Sequence, residues 1–311
     1  MPLKSNHIAA LKGKPAPVLL VDATGLVFRA FFSIRELTSP SGLPVNAVIG
    51  VLKMLLKVVA DVEPQGCAAF FDTARRSFRS EQFPEYKAQR PPPPDTLIPQ
   101  IPMVIEGLEA CGCPTLLEPG YEADDLIASF AAQHPAQFKL VLSGDKDLLQ
   151  LVDENTYVLV QSRGVTELRV YTPESFRGEY GFAPALFVDH KALRGDPSDN
   201  IPGVKSIGEK TAQKLIAQFG GLEGIYGRLE EVKPERIRQA LAAARDEVFR
   251  FRELVRLKSD CELPPEQGRP RLPQFGRAEF LAYLDKYGLR AIRQQLVGAN
   301  VLWLDGTPGG R

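Results

Sequence analysis

Residues 18–22 read VLLVD, an apolar run of strand length that ends in a carboxylate. Two later runs share this character, CAAFF at 67–71 and FKLVL at 138–142, and YVLV at 157–160 is a fourth candidate. Each run is too short for a helix and suits a buried strand. Because helical patterns separate these runs, the order of elements predicts an α/β fold with a mostly parallel sheet and helices on both faces.

Apolar residues at helical spacing predict helices at 45–62, 101–111 and 123–133. Beyond about residue 185 the strand signals stop, and an amphipathic helix is predicted near 277–296. The predicted organisation is a leader at 1–17, an α/β domain at 18–185 with a basic segment at 73–100, an all-helical domain at 186–263, and a linker with a C-terminal helix at 264–311.

The charge composition is balanced, with 38 basic and 38 acidic residues among 311. Binding of nucleic acid would therefore require charges segregated into patches. The four cysteines form no CxxC pair and the three histidines are scattered, which disfavours zinc sites and histidine-based catalysis. No apolar run approaches the ~20 residues of a membrane span, and the N-terminus lacks a signal pattern. We therefore expect a cytoplasmic protein.

Acidic side chains follow three of the predicted strands. VLLV ends at Asp22, AAFF at Asp72, and KLVLSG at Asp145, with Asp147 two residues later. The carboxyl ends of parallel strands meet at one edge of a sheet, where ligands bind, so we expect these side chains to converge. A single aspartate in such a position is usually a turn former or a helix cap, but the joint pattern favours a site.

Two further acidic segments extend this pattern. Glu122, Asp124 and Asp125 open a predicted helix, and Asp196 and Asp199 lie at the start of the helical domain. Clustered carboxylates raise each other's pKa, so a group of this size requires cations. Oxygen ligands suit hard ions, which indicates two Mg²⁺ or Mn²⁺ ions that would activate a water for phosphoryl displacement.

Six motifs carry a family resemblance: VLLVDATGLVFRAF, FFDTARRSFR, PEYKAQR, GYEADDLIA, SGDKDLLQL and LRGDPSDNIPGVKSIGEKTAQKL. In this order and spacing, from about Val18 to Leu263, they closely resemble the 5′ nuclease domains of bacterial DNA polymerase I and the wider flap endonuclease family. The resemblance implies a PIN-like, Rossmann-like nuclease domain followed by a helix–hairpin–helix domain. It implies hydrolysis of DNA at a 5′ flap or 5′ end, in primer removal and DNA repair.

The resemblance also assigns the acidic residues to metal ions. The first ion would be held by Asp22, Asp72, Glu122 and Asp124, with Asp125 close by. The second ion would be held by Asp145, Asp147 and Asp199, with Asp196 adjacent. Two departures from the family pattern are small: Ala23 stands where glycine is usual, and Ser143-Gly144 precede the Asp-x-Asp pair where threonine is frequent.

Basic and aromatic side chains alternate in the segment between the second strand and four consecutive prolines, Pro91 to Pro94. The basic ones are Arg75, Arg76, Arg79, Lys87 and Arg90, and the aromatic ones are Phe78, Phe83 and Tyr86. Such residues neutralise phosphates and stack on unpaired bases, although a charge run taken alone is usually a solvated loop. The segment is expected to bury little.

The resemblance gives this basic segment a role as a helical arch around the 5′ single strand. Lys87 and Arg90 would contact the scissile phosphate region. Arg29, seven residues after Asp22, is a further catalytic candidate. Phe28 would stack on a terminal base pair, and the alternative for this apolar residue is a place in the core.

Residues 202–219 read PGVKSIGEKTAQKLIAQF. Gly203 and Gly208 flank a predicted tight turn, whose backbone N–H groups and following helix start suit a phosphate. The other candidates for DNA contact are Lys205, Lys210, Thr211 and Lys214. The apolar helix face is predicted at Ala212, Leu215, Ile216 and Phe219. We predict a helix–hairpin–helix module that binds duplex backbone without reading sequence, with an ordinary αα-hairpin as the alternative. The resemblance adds a candidate K⁺ site at the turn.

The implied partner is DNA with a 5′ flap or a 5′ end at a duplex junction, bound by a monomer. One alternative is a Mg²⁺-dependent small-molecule phosphatase, but the first strand lacks the second aspartate of an Asp-x-Asp motif. The other is a non-catalytic duplex DNA-binding protein, although every matched metal position is acidic. The sequence does not decide between a free-standing nuclease and a fragment of a polymerase.

Overall fold

Six strands form a single sheet in the part of the chain that the structure describes. The computed structural model describes residues 10–73, 77–163, 167–264 and 269–298. The strands are Val18–Asp22 (β1), Gly66–Phe70 (β2), Thr115–Leu116 (β3), Lys139–Ser143 (β4), Thr156–Arg163 (β5) and Glu167–Tyr171 (β6). Their order is β3-β2-β1-β4-β5-β6, and only β6 pairs antiparallel among these six. The predicted mostly parallel sheet is confirmed, while β3 and β6 were not predicted.

Successive residues of β1 enter two different cores, which explains the continuous apolar runs. Leu20 packs in one core cluster, and Leu19 and Val21 pack in the other. The four apolar residues of β1 are at most 2% exposed. Side chains alternate between the two faces of a strand, so a strand covered on both faces is apolar throughout.

Helices cover both faces of the sheet. In the first part of the chain they are Ala23–Ser33 (α1), Asn46–Val62 (α2), Phe78–Gln82 (α3), Gln100–Ala110 (α4), Ala123–Gln133 (α5) and Pro173–Tyr180 (α6). In the second part they are Phe187–Arg194 (α7), Glu209–Phe219 (α8), Leu222–Gly227 (α9), Glu235–Ala243 (α10), Arg245–Val255 (α11), Ala278–Lys286 (α12) and Arg290–Gly298 (α13).

The helices α2, α4 and α5 match their predicted ranges closely. α5 opens with a capping box, in which the side chains of Glu122 and Asp125 accept hydrogen bonds from the backbone of the first turn. α1 was not predicted from periodicity. It begins directly after Asp22, whose Oδ1 accepts a hydrogen bond from the N–H of Gly25 at 2.9 Å. The first metal-ligand candidate is therefore also a helix cap.

After β6 the described chain contains helices and turns, as predicted. α7 packs against α8 and α11, and their side chains join the core cluster that lies between the sheet and α5. This packing brings the start of the helical region to the carboxyl edge of the sheet. No helix in the described ranges combines the length and apolarity that crossing a bilayer requires.

The C-terminal part of the chain packs back on the α/β region. The prediction of one helix near 277–296 is wrong, because the chain turns at Gly288, with φ of 65°, between α12 and α13. α12 packs on α4 and α13 on α2. The segment predicted as a linker is also attached to the sheet, since Arg271 exchanges two backbone hydrogen bonds with Cys67 of β2.

Candidate metal centre and active site

Three neighbouring strands each bring an aspartate to the same edge of the sheet. β1 lies between β2 and β4, and Asp22 ends β1. Asp72 and Asp145 each lie two residues beyond the ends of β2 and β4. The hydroxyl of Ser143 donates to Oδ2 of Asp22 at 2.5 Å and accepts from the N–H of Asp145 at 2.8 Å. The strand ends therefore converge, as the sequence predicts.

The start of α5 completes this cluster. The N–H of Ala123 donates to Oδ1 of Asp72 at 2.7 Å. Oxygens of Glu122, Asp124 and Asp125 lie within 4.8 Å of one another. We call Asp22, Asp72, Glu122 and Asp124 the first acidic group. All four line a cavity of about 770 Å³, together with Asp145.

A second acidic group consists of Asp147, Asp196 and Asp199, whose oxygens lie within 4.8 Å of one another. The N–H of Asp147 donates to Oδ1 of Asp145 at 2.8 Å. Asp145 lines the cavity of the first group and also a second cavity, of about 360 Å³, that contains Asp147 and Asp196. The two groups are therefore adjacent, with Asp145 between them.

Burial makes negative charge unfavourable in both groups. It raises the pKa of Asp22 to about 6 and the pKa of Asp147 to about 6. Burial raises the pKa of Asp124 well above its ordinary value, and the neighbouring Asp125 and Glu122 raise it further. Cations close by would stabilise the ionised form of these carboxylates.

Two basic side chains of the arch segment supply part of that positive charge. Nζ of Lys87 lies 2.9 Å from Oε2 of Glu122, and Nη2 of Arg90 lies 2.6 Å from Oδ1 of Asp199. Burial acts to raise the pKa of Glu122, but the charges of Lys87 and Arg79 outweigh it and lower that pKa. The two residues predicted at the scissile phosphate therefore contact one acidic group each.

Lys191 supplies a third cation, which we did not predict as functional from the sequence. Its side chain is 3% exposed and contacts Asp147 and Asp196, the latter at 2.5 Å. Burial acts to raise the pKa of Asp196, but Lys191 outweighs it and lowers that pKa to about 2. A signal did exist, because Lys191 occupies the buried face of α7 among apolar residues, where a lysine needs an anionic partner.

These residues fit divalent metal ions of the hard class. The donors are carboxylate oxygens, which Mg²⁺ and Mn²⁺ prefer. Within the described residues, the groups of potential metal ligands contain neither histidine nor cysteine. The raised pKa values of Asp22 and Asp124 add a second argument, because a divalent ion would offset the charge that burial penalises.

The prediction that Arg79 contacts DNA is wrong. Its side chain is 2% exposed, and its two terminal nitrogens each donate to a different oxygen of Asp125 at 2.7 Å. The same guanidinium donates to the carbonyls of Leu254 and Arg256 at 2.8 and 2.9 Å. Asp125 was predicted close to the first metal ion. Both of its oxygens accept from Arg79, and one of them lies within 4.8 Å of oxygens of Glu122 and Asp124. Arg79 thus ties the arch segment to α5 and to the end of α11, and a metal contact of Asp125 stays a prediction.

We expect Arg79→Lys to lower the free energy of unfolding by about 2 kcal/mol, because lysine keeps the charge but loses the bidentate pair. Chemical denaturation followed by circular dichroism measures this change. Arg238→Lys is the matched control, since Arg238 forms exposed ion pairs with Glu230 and Glu235. The control should change stability by less than about 0.5 kcal/mol. Equal stability of Arg79→Lys and wild type would contradict the anchoring role.

The expected stacking of Tyr86 on unpaired bases is also wrong for this structure. Tyr86 is buried, with 6% of its surface exposed. Its hydroxyl oxygen lies 3.1 Å from Oε2 of Glu122 and 3.2 Å from Oδ2 of Asp199, so its one proton can be donated to either carboxylate, and Tyr86 connects the two acidic groups. The arch segment is therefore more buried than its composition suggested. Arg75 and Arg76, predicted to contact DNA, lie outside the described residues.

Arg29 and Phe28 lie on α1, close to the acidic edge. Nη2 of Arg29 donates to the carbonyl of Gln161 at 2.9 Å, and its Cδ lies 3.2 Å from where a Cβ at Gly144 would stand. Phe28 lines the first cavity and also packs against the core, and its stacking on a terminal base pair stays a prediction. A catalytic role for Arg29 stays a prediction.

The hairpin before α8 has its predicted form. Gly203 has φ of 66°, and a Cβ there would lie 2.3 Å from the backbone nitrogen of Gly195, so the turn requires glycine. Gly208 is the N-cap of α8. The buried face of α8 is the predicted one, Ala212, Leu215, Ile216 and Phe219. The polar residues lie outside the core, with Thr211 half-buried and the exposed lysines at Lys205, Lys210 and Lys214. The K⁺ site at this turn stays a prediction.

This fold is the fold of solved 5′ exonucleases and flap endonucleases. The T5 5′-exonuclease, solved with zinc ions, matches with a TM-score of 0.65 and 22% identity, over 89% of this chain and 98% of that one. The catalytic core of Rad2, solved with a DNA substrate, matches with a TM-score of 0.62 and 16% identity, over 96% of this chain and 95% of that one. At these identities the likeness concerns the fold alone.

The chain belongs to the 5′-3′ exonuclease family. The 5′-3′ exonuclease N-terminal resolvase-like domain matches residues 17–181, and the C-terminal SAM fold of the same family matches residues 182–275. DNA polymerase I of Mycobacterium bovis is 40% identical over 289 residues, which are 92% of this chain and 32% of that protein. The thermostable DNA polymerase I of Thermus thermophilus is 38% identical over 287 residues, with the same coverage. The chain thus spans about a third of the length of these relatives.

Proposed function

We propose that this chain hydrolyses DNA phosphodiester bonds at a 5′ flap or 5′ end, with two divalent metal ions. The observation that carries the proposal is the pair of adjacent acidic groups at one sheet edge, with Asp145 between them and Lys87 and Arg90 in contact with them. The family match favours the nuclease over the alternative of a small-molecule phosphatase.

The first ion would be held by the first acidic group, and the second by Asp145, Asp147 and Asp199, with Asp196 adjacent. When bound, such ions lower the pKa of a water and stabilise charge on the attacking and leaving oxygens of a phosphate. The zinc-bound T5 structure and the DNA-bound Rad2 structure support metal and DNA as ligands of this fold. The all-carboxylate donors favour Mg²⁺ or Mn²⁺ here.

Lys87 and Arg90 are placed to bind the scissile phosphate. Both contact carboxylates that would hold a divalent ion, so ion binding would release their ammonium and guanidinium groups. The freed groups can then donate to phosphate oxygens, and a bidentate arginine also orients the phosphate.

The duplex is proposed to lie along the hairpin, whose exposed lysines can neutralise neighbouring phosphates. We expect the double change Lys205→Ala and Lys210→Ala to weaken duplex binding about equally for all sequences and to flatten the salt dependence by about two units of slope. Fluorescence anisotropy at several salt concentrations measures both effects. The control is Lys12→Ala with Lys286→Ala, which removes equal charge elsewhere. A sequence-dependent loss would contradict backbone recognition.

The relatives that cover this chain are DNA polymerases I. We therefore propose a role in primer removal and DNA repair, in which a monomer acts on DNA with a 5′ flap or a 5′ end at a duplex junction. The proposed role is that of a nuclease, whether this chain acts alone or beside further domains.

The test of the proposed function is single-turnover cleavage of a labelled 5′-flap duplex, with product mapping. We expect cleavage at the flap junction with Mg²⁺ or Mn²⁺ and none with EDTA. A 3′-flap duplex of the same sequence is the matched control, and its 3′ flap should not be released by a cut at the junction. Binding without cleavage under every metal condition would instead support the non-catalytic DNA-binding alternative.

A further inference from the structure

Two buried thiols meet near the start of β2, outside both acidic groups. Sγ of Cys67 lies 3.0 Å from Sγ of Cys113, and both residues are fully buried free cysteines. Ala69 of β2 pairs in parallel with Thr115 of β3. Two residues back along both segments, the cysteines therefore lie next to each other and point to the same face. The sheet itself thus brings the two sulfur atoms together.

The backbone around the two cysteines has the spacing of a disulfide. Neighbouring strands lie about 4.8 Å apart, and the Cα atoms of a disulfide are separated by about 4.4 to 6.8 Å. A bond between Cys67 and Cys113 therefore requires only small side-chain adjustments. The hydrogen bond with Cys67 and burial both raise the pKa of Cys113, which makes the reduced pair less reactive than an exposed thiol. Oxidation therefore needs a reagent that is held next to the sulfur atoms.

A cavity beside the pair offers a place for such a reagent. It has a volume of about 330 Å³, and its lining includes Cys113, Thr115, Glu109, Arg271 and Arg277. Arg271 is attached to the strand that carries Cys67, since the two backbones exchange two hydrogen bonds. Nη1 of Arg277 lies 3.1 Å from where a Cβ at Gly112 would stand, directly before Cys113. Two guanidinium groups against one carboxylate favour a ligand that carries carboxylates.

We propose that Cys67 and Cys113 are a site of reversible oxidative modification that reacts with a small disulfide carrying carboxylates. The thiolate of Cys113 attacks one sulfur of the reagent, whose S–S bond breaks and releases a first thiol with the proton that Cys113 gave up. The sulfur of Cys67 then attacks the mixed disulfide at Cys113 and releases a second thiol, which takes the proton of Cys67. Both cysteines are oxidised, and the reagent is reduced to two thiols.

The bond would close a loop that contains the whole arch segment. Cys67 and Cys113 are 46 residues apart in the sequence, and residues 73–100 lie between them. A cross-link across a loop of this length restricts the unfolded chain and so stabilises the folded protein. Oxidation at this site is therefore expected to stabilise the protein.

Peptide mapping tests the bond directly. The full chain is incubated with glutathione disulfide, the remaining thiols are blocked after unfolding, and the digest is measured by mass spectrometry. We expect a cross-linked peptide pair that joins Cys67 to Cys113 and that dithiothreitol separates. Cys261→Ser is the matched control and should keep the bond, since Cys261 lies in the other core cluster. No cross-linked peptide, or one that joins Cys111 to Cys113, would overturn the proposal.

A second reagent tests the role of the cavity. Arg277→Gln should slow oxidation by glutathione disulfide about 5-fold, the effect of losing one ion pair with a carboxylate. Oxidation by 2-hydroxyethyl disulfide, which is uncharged, should keep its wild-type rate in the same variant. Equal slowing with both reagents would overturn the preference for a disulfide that carries carboxylates.

Thermal unfolding tests the stabilising effect. The melting temperature of the oxidised wild type should exceed that of the reduced wild type by about 5 °C. Cys67→Ser should show the same melting temperature before and after oxidation, whatever its own stability. A cross-linked wild type that melts no higher than the reduced protein would overturn the stabilising role of the bond.

Discussion

Asp124→Asn should lower the single-turnover rate of flap cleavage on the order of 1000-fold, equal to about 4 kcal/mol of transition-state stabilisation. Asp124 lines the cavity of the first acidic group. An amide has nearly the same shape as a carboxyl group but lacks the charge that binds a hard cation. Affinity for the flap duplex should stay within about 3-fold of wild type, because phosphate contacts on other surfaces supply most of it.

The same substitution should stabilise the metal-free protein. Burial and the neighbouring Asp125 and Glu122 raise the pKa of Asp124 from an ordinary 3.8. A raised folded-state pKa means that wild-type stability falls as pH rises above about 4, whereas the asparagine variant avoids this loss. In EDTA, the melting temperature of Asp124→Asn should exceed that of wild type at pH 7, with no difference below pH about 4.

The matched control for Asp124→Asn is Asp246→Asn, which changes an exposed aspartate in the first turn of α11. It should keep the wild-type cleavage rate. An unchanged rate in Asp124→Asn itself, measured with Mg²⁺ in excess, would reject this residue as part of the catalytic centre.

Lys87→Ala should slow the chemical step about 100-fold, the cost of losing one preorganised donor to a developing negative charge. The backbone of Lys87 is held at the site, since its N–H donates to the carbonyl of Asp199 at 3.1 Å. A side chain that starts from a backbone fixed beside the acidic groups is suited to stabilise charge in the transition state rather than to capture DNA from solution.

Two measurements separate these roles of Lys87. The single-turnover rate at saturating protein reports chemistry, and anisotropy reports affinity for the same flap duplex. The control Lys286→Ala removes an exposed lysine that pairs with Glu106, and both quantities should be unchanged. A loss of affinity at a normal single-turnover rate would place Lys87 in docking.

The strand ends and their carboxylates could be predicted because each signal is local. An apolar run of five residues specifies a buried strand, and a parallel arrangement brings the following Asp22, Asp72 and Asp145 to one edge. The buried face of α8 was predictable for the same reason, since its apolar residues recur at helical spacing and are the residues that the structure buries. β3 escaped prediction because two residues carry no periodic pattern.

The partners of the charged residues could not be predicted, because they come from distant parts of the chain. Arg79 belongs to a basic run that is typical of a surface. Its carboxylate partner Asp125 lies 46 residues away in the sequence, and its carbonyl partner Leu254 lies 175 residues away. Lys191 likewise contacts Asp147 across 44 residues. In both cases the tertiary fold decides whether a cation meets solvent, DNA or a carboxylate.

The most direct test of the metal centre is a crystal structure with Mn²⁺, in which anomalous scattering locates the ions. We expect two Mn²⁺ peaks: one against Asp22, Asp72, Glu122 and Asp124, and one against Asp145, Asp147 and Asp199. Crystals soaked in Mn²⁺ that show no peak at this sheet edge, or peaks only elsewhere on the protein, would contradict a two-metal centre here.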